Sequence, residues 1–320
     1  MQKKILITGA SGFAGSHLVE YLIDNNKKNV YGTYYSDKGL ENLEKVKDKI
    51  NLFRLDLTNE SQTKNLIEKI RPDEVYHLAA FASAAESFSS PAKTVLNNIS
   101  SQINLLESIK NSNLFATKIL IISSAEVYGD VDSKDLPIAE DTKFNPTNPY
   151  AVSKLTQDFL GRQYFMADKL KVVIARPFNH IGSRQAPNFV VSSFAKKIAE
   201  IEKGKREPIL PVGNLEAKRD FTDVKDVVRA YALLMEKGQE GQAYNIGSGV
   251  SYKISDILDK LLSYSLVKVS VEQDKSLFRP IDNPNLICDF SKLKNLTGWE
   301  PKIKIDKTLK ETLDYWRNII

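Results

Sequence analysis

Three polar side chains near the middle of the chain could move a proton to or from a substrate oxygen. Tyr150 and Lys154 are four positions apart, so on one helix they lie on the same face. The positive charge of a lysine favours the phenolate of a neighbouring tyrosine, whose unperturbed pKa is about 10. Ser124 ends an apolar run, where its hydroxyl can donate a hydrogen bond to the same oxygen. These residue types indicate acid-base chemistry at a carbon that carries an alcohol or a ketone.

A glycine-rich segment near the start of the chain predicts a site for the phosphates of a dinucleotide. Gly9, Gly12 and Gly15 follow an apolar run and open a helical pattern that begins at Phe13, which is the context this motif requires. The glycines permit a tight turn, a close approach of the pyrophosphate and close packing of helix on strand. A tyrosine and a lysine at this spacing are common on helix surfaces, but a preceding glycine loop and serine make the pair a signal for hydride transfer.

Two further segments end apolar runs and are placed to meet the same cofactor. Asp56 and Leu57 follow the third run, where they would meet the adenine. Ala79 belongs to His-Leu-Ala-Ala at 77–80, whose small residues suit a cofactor that lies across the edge of a sheet. A plain strand-end turn is the alternative interpretation of Asp56, and a core histidine is the alternative interpretation of His77.

The end of the second apolar run bears on which dinucleotide is bound. An acid at this place accepts from the ribose hydroxyls of NAD, whereas an arginine holds the 2′-phosphate of NADP. The segment 33–38 has neither at its tip, but it carries Ser36 and Lys38. We therefore expect NADP(H) or NAD(H), with NADP(H) slightly favoured.

Alternating apolar runs and amphipathic stretches predict an α/β fold. Strands are expected at 4–8, 29–34, 51–55, 74–77, 119–123, 172–176 and 243–246, and helices at about 13–25, 60–70, 92–111, 149–169, 189–203 and 306–318. We expect a Rossmann-type doubly wound parallel sheet with a smaller interleaved α+β substrate domain. The dinucleotide-binding domain would comprise 1–177 plus about 218–246, and the substrate domain about 178–217 plus 247–320.

Composition excludes several other classes of protein. The net charge of +5 is spread along the chain without a basic block, which argues against a nucleic-acid partner. Cys288 is the single cysteine and there are three histidines far apart, so neither a disulfide within the chain nor a metal site is expected. The apolar runs are too short for a membrane span, and no signal-peptide pattern precedes the first strand. We expect a cytoplasmic protein without a membrane partner.

These motifs resemble the extended short-chain dehydrogenase/reductase family, which acts on nucleotide sugars, and the resemblance covers nearly the whole chain. In the second half the matching segments are 176–182, 189–191, 212–224, 244–249 and 279–280. Within the family the chain is similar to the GDP-sugar branch, which contains GDP-mannose 4,6-dehydratases and GDP-4-keto-6-deoxy-mannose reductases. The resemblance implies a GDP-sugar substrate.

The resemblance also implies roles for individual residues. Asn179 and Val190 would line the nucleotide-sugar pocket, while Asn214 and Arg219 would meet the GDP. Arg279 would hold the diphosphate, whose oxygens a planar guanidinium binds in pairs. A salt bridge within segment 219–223 is the alternative interpretation of Arg219. The family's asparagine that supports the catalytic helix corresponds to Asn98, which we include among the cofactor-binding residues.

Reduction and dehydration make different demands on the site. A dehydratase needs a carboxylate near C5 of the sugar, and Glu126 stands where the dehydratases carry theirs. Ala125 departs from the dehydratase patterns, and the segment 179–185 is similar to the reductase version. We therefore expect reduction of the C4 ketone of GDP-4-keto-6-deoxy-mannose to a GDP-6-deoxyhexose such as GDP-rhamnose. GDP-mannose 4,6-dehydration and a non-catalytic dinucleotide sensor remain the alternatives.

The two long helices expected at 92–111 and 149–169 could pair with their copies in a second subunit. Family analogy favours a homodimer of this kind. The same apolar pattern would also fit a core within one chain.

Overall fold

A seven-stranded parallel sheet runs through the protein, whose computed structural model describes residues 2–278, 281 and 283–320. The strands of the described residues are β1 (Ile5–Thr8), β2 (Val30–Tyr34), β3 (Asn51–Arg54), β4 (Glu74–His77), β5 (Lys118–Ile122), β6 (Lys171–Pro177), β7 (Asn179–Ile181), β8 (Ile209–Val212), β9 (Lys218–Asp223), β10 (Ala243–Ile246), β11 (Ser251–Lys253) and β12 (Ser270–Gln273). The large sheet has the order β10-β6-β5-β4-β1-β2-β3. The chain therefore winds outward in both directions from the β1–β4 pair, as a Rossmann-type sheet does.

Helices cover both faces of this sheet. The helices of the described residues are α1 (Phe13–Asp24), α2 (Glu60–Ile70), α3 (Ala84–Ser89), α4 (Pro91–Asn111), α5 (Pro149–Asp168), α6 (Val190–Glu202), α7 (Val224–Lys237), α8 (Ile254–Ser263), α9 (Ser291–Thr297) and α10 (Ile305–Ile319). Side chains alternate along a strand, so Ile5 and Ile7 join the core under α1 and α7 while Leu6 joins the core under α2, α4 and α5. Both faces are buried, which explains the nearly continuous apolar runs in the sequence.

Parallel pairing brings the carboxyl ends of the strands to one edge. Thr8 is in register with His77, and His77 is in register with Ile121. The glycine loop, the segment after β4 and Ser124 consequently leave the sheet side by side. This edge is where ligands bind in open α/β sheets.

The expected fold class is confirmed. All seven expected strands of the large sheet and the four helices of the first half are present with ends within about one residue of the prediction. The short helix α3 was not predicted, because six residues rich in alanine and serine show no amphipathic repeat.

The later residues build a separate apolar cluster beyond the carboxyl edge. It joins α6, α8 and α10 to β8 and β9, through side chains such as Phe194, Leu258 and Leu313. A three-stranded sheet of order β11-β9-β7 connects this cluster to the end of β6. Among the described residues, no helix combines the length and the apolar character that crossing a bilayer requires.

A buried ion pair joins the large sheet to α5. Arg176 on β6 donates to Asp158 through Nε at 2.8 Å and through Nη2 at 3.1 Å, and both side chains are almost fully buried. The remaining amino group donates to the Tyr128 hydroxyl and to the Glu140 carbonyl oxygen, each at 2.9 Å. All three nitrogens of this guanidinium are therefore used inside the protein, which assigns Arg176 to stability.

Arg176→Met is expected to lower the free energy of unfolding by about 3–5 kcal/mol, because it leaves the Asp158 carboxylate buried without its counter-ion. Urea denaturation monitored by circular dichroism measures the change. The double variant Arg176→Met with Asp158→Leu removes both charges and should recover part of the loss. Equal stability of the two variants would contradict the ion-pair explanation.

Candidate active site

The glycine loop has the geometry that a phosphate site requires. Gly9 has a φ of +69°, in the left-handed region that favours glycine. A Cβ atom on Gly15 would lie 2.1 Å from the Gly9 carbonyl oxygen, so that only glycine allows α1 to approach β1 this closely. Gly12 is the N-cap of α1 and contributes no side-chain cap, so the first N–H groups, beginning at Phe13, point out of the helix start. These groups favour an anion at this position.

The segment after β4 lies against this loop. A Cβ atom on Gly9 would be 3.0 Å from Cα of Ala79, and the Ala79 amide donates to Thr8 Oγ1 at 3.2 Å. Thr8 Oγ1 also lies 2.9 Å from Nδ1 of His77, which is buried. Burial lowers the pKa of His77 to about 3, with the charge of Lys154 acting in the same direction. The imidazole is therefore a neutral core group that ties β4 to β1.

Asn98 uses its side chain to connect protein segments. Its Oδ1 accepts from the Phe81 amide at 2.8 Å, and its Nδ2 donates to the Phe81 carbonyl oxygen at 3.1 Å and to Ser153 Oγ at 2.9 Å. Ser153 in turn donates to the carbonyl oxygen of Tyr150 at 2.7 Å. Asn98 thus joins the segment after β4 to the helix that carries the tyrosine.

Beside the segment expected to meet the adenine, the structure places Arg54, which the sequence interpretation did not include. Asp56 accepts from the amide and the hydroxyl of Thr58 at 2.9 and 2.7 Å, and Leu57 beside it is buried. Arg54 is in register with Tyr34 at the tip of β2, and its Nη1 lies 4.0 Å from Asp37. The signal for Arg54 was its place at the end of the strand next to β2, but this neighbour relation is tertiary.

The strand β5 and the helix α5 bring Ser124, Tyr150 and Lys154 together. Ser124 follows β5 in extended conformation, and its side chain lies close enough to Tyr150 to lower the pKa of the phenol. Tyr150 is the second residue of α5, whose start is capped by Asn148 Oδ1 at 2.8 Å from the Ala151 amide. Lys154, one turn later, donates through Nζ to the Ile122 carbonyl oxygen at 2.8 Å. The predicted set is therefore one site at the carboxyl edge of the sheet.

Burial is the largest influence on the pKa values of Tyr150 and Lys154. It raises the pKa of Tyr150 to about 12, although the nearby Ser124 side chain acts in the opposite direction; the charge of Glu126 raises it further. Burial also lowers the pKa of Lys154 from 10.5 to about 7. The protein groups by themselves therefore hold Tyr150 as a protonated phenol, and do not produce the phenolate that the tyrosine–lysine spacing suggested. A protonated phenol is the proton donor that reduction of a ketone needs.

Glu126 lies beside this set and forms hydrogen bonds within the protein. Its Oε2 accepts from Asn148 Nδ2 at 3.0 Å, and its amide donates to Ser124 Oγ at 3.2 Å. The carboxylate therefore links the turn after β5 to the residue that caps α5. This link holds the serine and the tyrosine at a fixed separation.

The residues expected at the substrate lie around the small sheet and α6. Asn179 begins β7 and is in register with Phe221 of β9, on which Arg219 lies two residues earlier. Arg219 Nη1 donates to the carbonyl oxygens of Lys218 at 2.8 Å and Asn283 at 2.6 Å.

The other expected substrate residues lie in neighbouring segments. Val190 begins α6 and is partly exposed. Asn214 Oδ1 accepts from the Glu216 amide at 3.0 Å. Arg279 lies outside the described residues. Within the described part of the chain, no group of three or more His, Cys, Asp or Glu side chains could hold a metal ion.

Comparison with known proteins gives consistent matches over the full chain. The profile of the GDP-mannose 4,6 dehydratase family matches residues 6–312. GDP-6-deoxy-D-mannose reductase of Pseudomonas aeruginosa is 34% identical over 318 residues, which cover 99% of this chain and 98% of that protein. GDP-mannose 4,6 dehydratase 1 of Arabidopsis thaliana is 30% identical over 328 residues, which cover 98% and 89%. The structure of RMD from Pseudomonas aeruginosa complexed with NADPH matches with a TM-score of 0.85 at 34% identity, covering 99% of this chain and 100% of that one.

Proposed function

The chain belongs to the GDP-mannose 4,6-dehydratase family within the extended short-chain dehydrogenases/reductases, and we propose that it reduces the C4 ketone of GDP-4-keto-6-deoxy-mannose with NADPH or NADH. The observation that carries this proposal is the buried, protonated Tyr150 beside Ser124, one helical turn from Lys154. The product is a GDP-6-deoxyhexose such as GDP-rhamnose.

The site residues fit a nicotinamide dinucleotide. The uncapped start of α1 would receive the pyrophosphate, and a side chain at Gly9 would close the space toward Ala79. When bound, the reduced dinucleotide would supply a hydride to C4 of the sugar. Lys154 would donate to hydroxyls of the nicotinamide ribose, since its ammonium has further hydrogens beyond the one given to Ile122.

The arrangement of Ser124 and Tyr150 determines which group supplies the proton to the ketone oxygen. Ser124 donates a hydrogen bond to the ketone oxygen and so stabilises the negative charge that develops there. Tyr150 then transfers its phenolic proton to that oxygen, which becomes the C4 hydroxyl. The positive charge of Lys154 stabilises the phenolate that remains.

NADPH is the favoured form of the cofactor. Arg54 and Asp37 are both exposed at the adenosine end, and a guanidinium at this place can bind a 2′-phosphate. The basic Lys38 lies in the same segment. The relative of known structure at 34% identity is complexed with NADPH, which agrees with this preference.

Reduction is favoured over dehydration by the segment 179–185, which is similar to the reductase version. Asn148 holds one oxygen of Glu126 at 3.0 Å, which suits an orienting role for this carboxylate. The relative that is 34% identical over nearly the full length of both chains is also named a reductase. We assign Glu126 to orienting the turn that carries Ser124.

The substrate would lie between the large sheet and the later cluster. In this proposal Asn179 and Val190 line the sugar-nucleotide pocket, and Asn214 and Arg219 contact the GDP. Arg279 would hold the diphosphate. The two proposed domains, 1–177 plus about 218–246 and about 178–217 plus 247–320, then provide the dinucleotide half and the nucleotide-sugar half of one site.

We also infer a cytoplasmic homodimer that pairs α4 and α5 with their copies. Leu96 on α4 and Val152, Phe159 and Met166 on α5 are exposed apolar side chains. Burying such side chains between subunits is favourable.

The function is tested by giving the purified protein two substrates in parallel, GDP-4-keto-6-deoxy-mannose with NADPH or NADH, and GDP-mannose with NADP⁺. Oxidation of the reduced dinucleotide by the keto sugar, with GDP-mannose unchanged, is the expected result. Conversion of GDP-mannose to the keto sugar without net change of the dinucleotide would instead identify a dehydratase.

Glu126→Gln is expected to keep kcat for the keto sugar within about fivefold of the wild type, far from the roughly 10²- to 10⁴-fold loss that removal of a general base causes. The glutamine retains an oxygen that can accept from Asn148 but cannot remove a proton. Steady-state oxidation of NADPH at 340 nm measures the rate. Ser124→Ala serves as the positive control and should lower kcat by about 10²-fold. A loss in the Glu126→Gln variant as large as that of the control would overturn the orienting role.

A further inference from the structure

Arg184 stands in the loop between β7 and α6 and makes a dense set of contacts across the molecule. Its Nη1 and Nη2 bind Glu20 of α1 at 2.9 and 2.6 Å in a two-pronged ion pair. Nη1 also donates to the Asn42 carbonyl oxygen at 2.8 Å, and Nη2 donates to His17 Nδ1 at 2.7 Å. The side chain is only 12% exposed.

The backbone at this place is held in a conformation that it would otherwise avoid. Arg184 has a φ of +73°, in the left-handed region that L residues other than glycine and asparagine rarely adopt. Such conformations persist only where the surrounding contacts over-determine them. The guanidinium contacts contribute to holding this loop in place.

The partner His17 is set to accept this hydrogen bond. Burial lowers its pKa to about 3, and the charge of Arg184 acts in the same direction. Its Nε2 lies 3.0 Å from the Ser183 carbonyl oxygen, to which the neutral ring can donate, and this leaves Nδ1 as an acceptor for Arg184. Both ring nitrogens therefore bind the loop at consecutive residues.

The segment around Arg184 reaches the glycine loop by two routes, and the first of them runs through Arg184 itself. Asn42, whose carbonyl oxygen accepts from Arg184, donates through Nδ2 to the Ser11 carbonyl oxygen at 3.0 Å. Phe13, the first residue of α1, stacks on His180 with ring centroids 5.7 Å apart and planes at 6°. His180 is the neighbour of Asn179, the residue proposed to line the sugar pocket.

We propose that Arg184 is a positioning residue that couples the two halves of the site, so that a dinucleotide bound at the glycine loop orders the substrate loop 179–188. When two segments share contacts, ordering one segment lowers the entropy cost of ordering the other. A ligand that fixes the first segment therefore favours binding of a ligand at the second. The proposal rests on the proposed function only for the identity of the second ligand.

Hydrogen–deuterium exchange with NADPH tests the coupling without any sugar substrate. In the wild type, NADPH should slow exchange at 9–16 and also at 183–189, the latter by about fivefold or more. In Arg184→Ala the protection at 9–16 should remain while that at 183–189 falls below about twofold. Protection at 183–189 that survives in this variant, or that is missing from the wild type, would overturn the proposal.

Two further variants separate coupling from general destabilisation. Arg206→Ala removes another arginine of the same half of the chain, paired with Glu200 at 3.0 Å, and should behave as the wild type. Glu20→Gln keeps the size of the Arg184 partner while removing its charge, and should give intermediate protection at 183–189. This variant decides the question if the alanine variant does not fold.

Titration with GDP then measures the coupling between ligands. NADP⁺ should tighten GDP binding about tenfold in the wild type and less than about twofold in Arg184→Ala. If GDP binds equally well with and without NADP⁺ in the wild type, the proposal that the two sites are coupled is wrong. If GDP does not bind at all, the proposed nucleotide is wrong, while the exchange result still decides the role of Arg184.

Discussion

Tyr150→Phe is expected to lower kcat for the keto sugar by about 10²- to 10⁴-fold, the range that general acid catalysis contributes. The variant loses only the phenolic oxygen, so the Kd of NADPH should remain within about twofold of the wild-type value. Stopped-flow measurement of a single turnover gives the rate of the chemical step, and NADPH fluorescence gives the Kd. The effect is large because, in the proposed reaction, the phenol of Tyr150 carries the proton that the ketone oxygen must receive.

The matched control for this variant is Tyr164→Phe on the same helix. Tyr164 donates to Glu107 at 2.7 Å, far along α5 from the site. The control loses one hydrogen bond and should lose about 1 kcal/mol of stability without a change in kcat. A Tyr150→Phe variant that keeps a tenth or more of the wild-type rate would show that another group delivers the proton.

Lys154→Met is expected to lower kcat by about 10²- to 10⁴-fold as well and to weaken dinucleotide binding, because in the proposed reaction the ammonium stabilises the phenolate and donates to the ribose hydroxyls. The stability of the variant should not fall. The pKa of Lys154 is about 7 in the folded protein against an ordinary value of 10.5, so the unfolded chain binds this proton more tightly. Burying the lysine therefore costs stability at neutral and lower pH, and a methionine of similar length removes that cost. Thermal unfolding of the wild type and the variant at pH 7 measures this difference in stability.

The pH dependence of binding gives a second measurement on the same residue. Ribose hydroxyls stabilise the ammonium, so the pKa of Lys154 rises when the dinucleotide binds. Wild-type affinity for NADPH should consequently be highest near pH 7 and fall as the pH increases, by at most about tenfold per unit. The Lys154→Met variant should bind weakly and without this slope between about pH 7 and 9. A slope that persists in the variant would place the titrating group elsewhere.

Much of the site could be read from local sequence. The spacing of Gly9, Gly12 and Gly15 after an apolar run determines a strand, a turn and a helix start, because only glycine permits the left-handed turn and the contact between α1 and β1. The four-residue spacing of Tyr150 and Lys154 likewise determines a shared helix face. These features depend on residues close together in the chain, where backbone geometry is set by short-range sterics.

The tertiary structure decided what those residues do. The pKa values of Tyr150 and Lys154 follow from burial beneath distant segments, which no spacing encodes. Arg54 lies beside the tip of β2 only because β3 pairs with β2.

Two further contacts also depend on tertiary structure and not on local spacing. Glu126 and Asn148 are 22 residues apart, and Arg184 and Glu20 are 164 apart. Such pairs form when the sheet order brings loop ends to a common edge, so the sequence determined the candidate catalytic groups while packing determined their protonation and their separation.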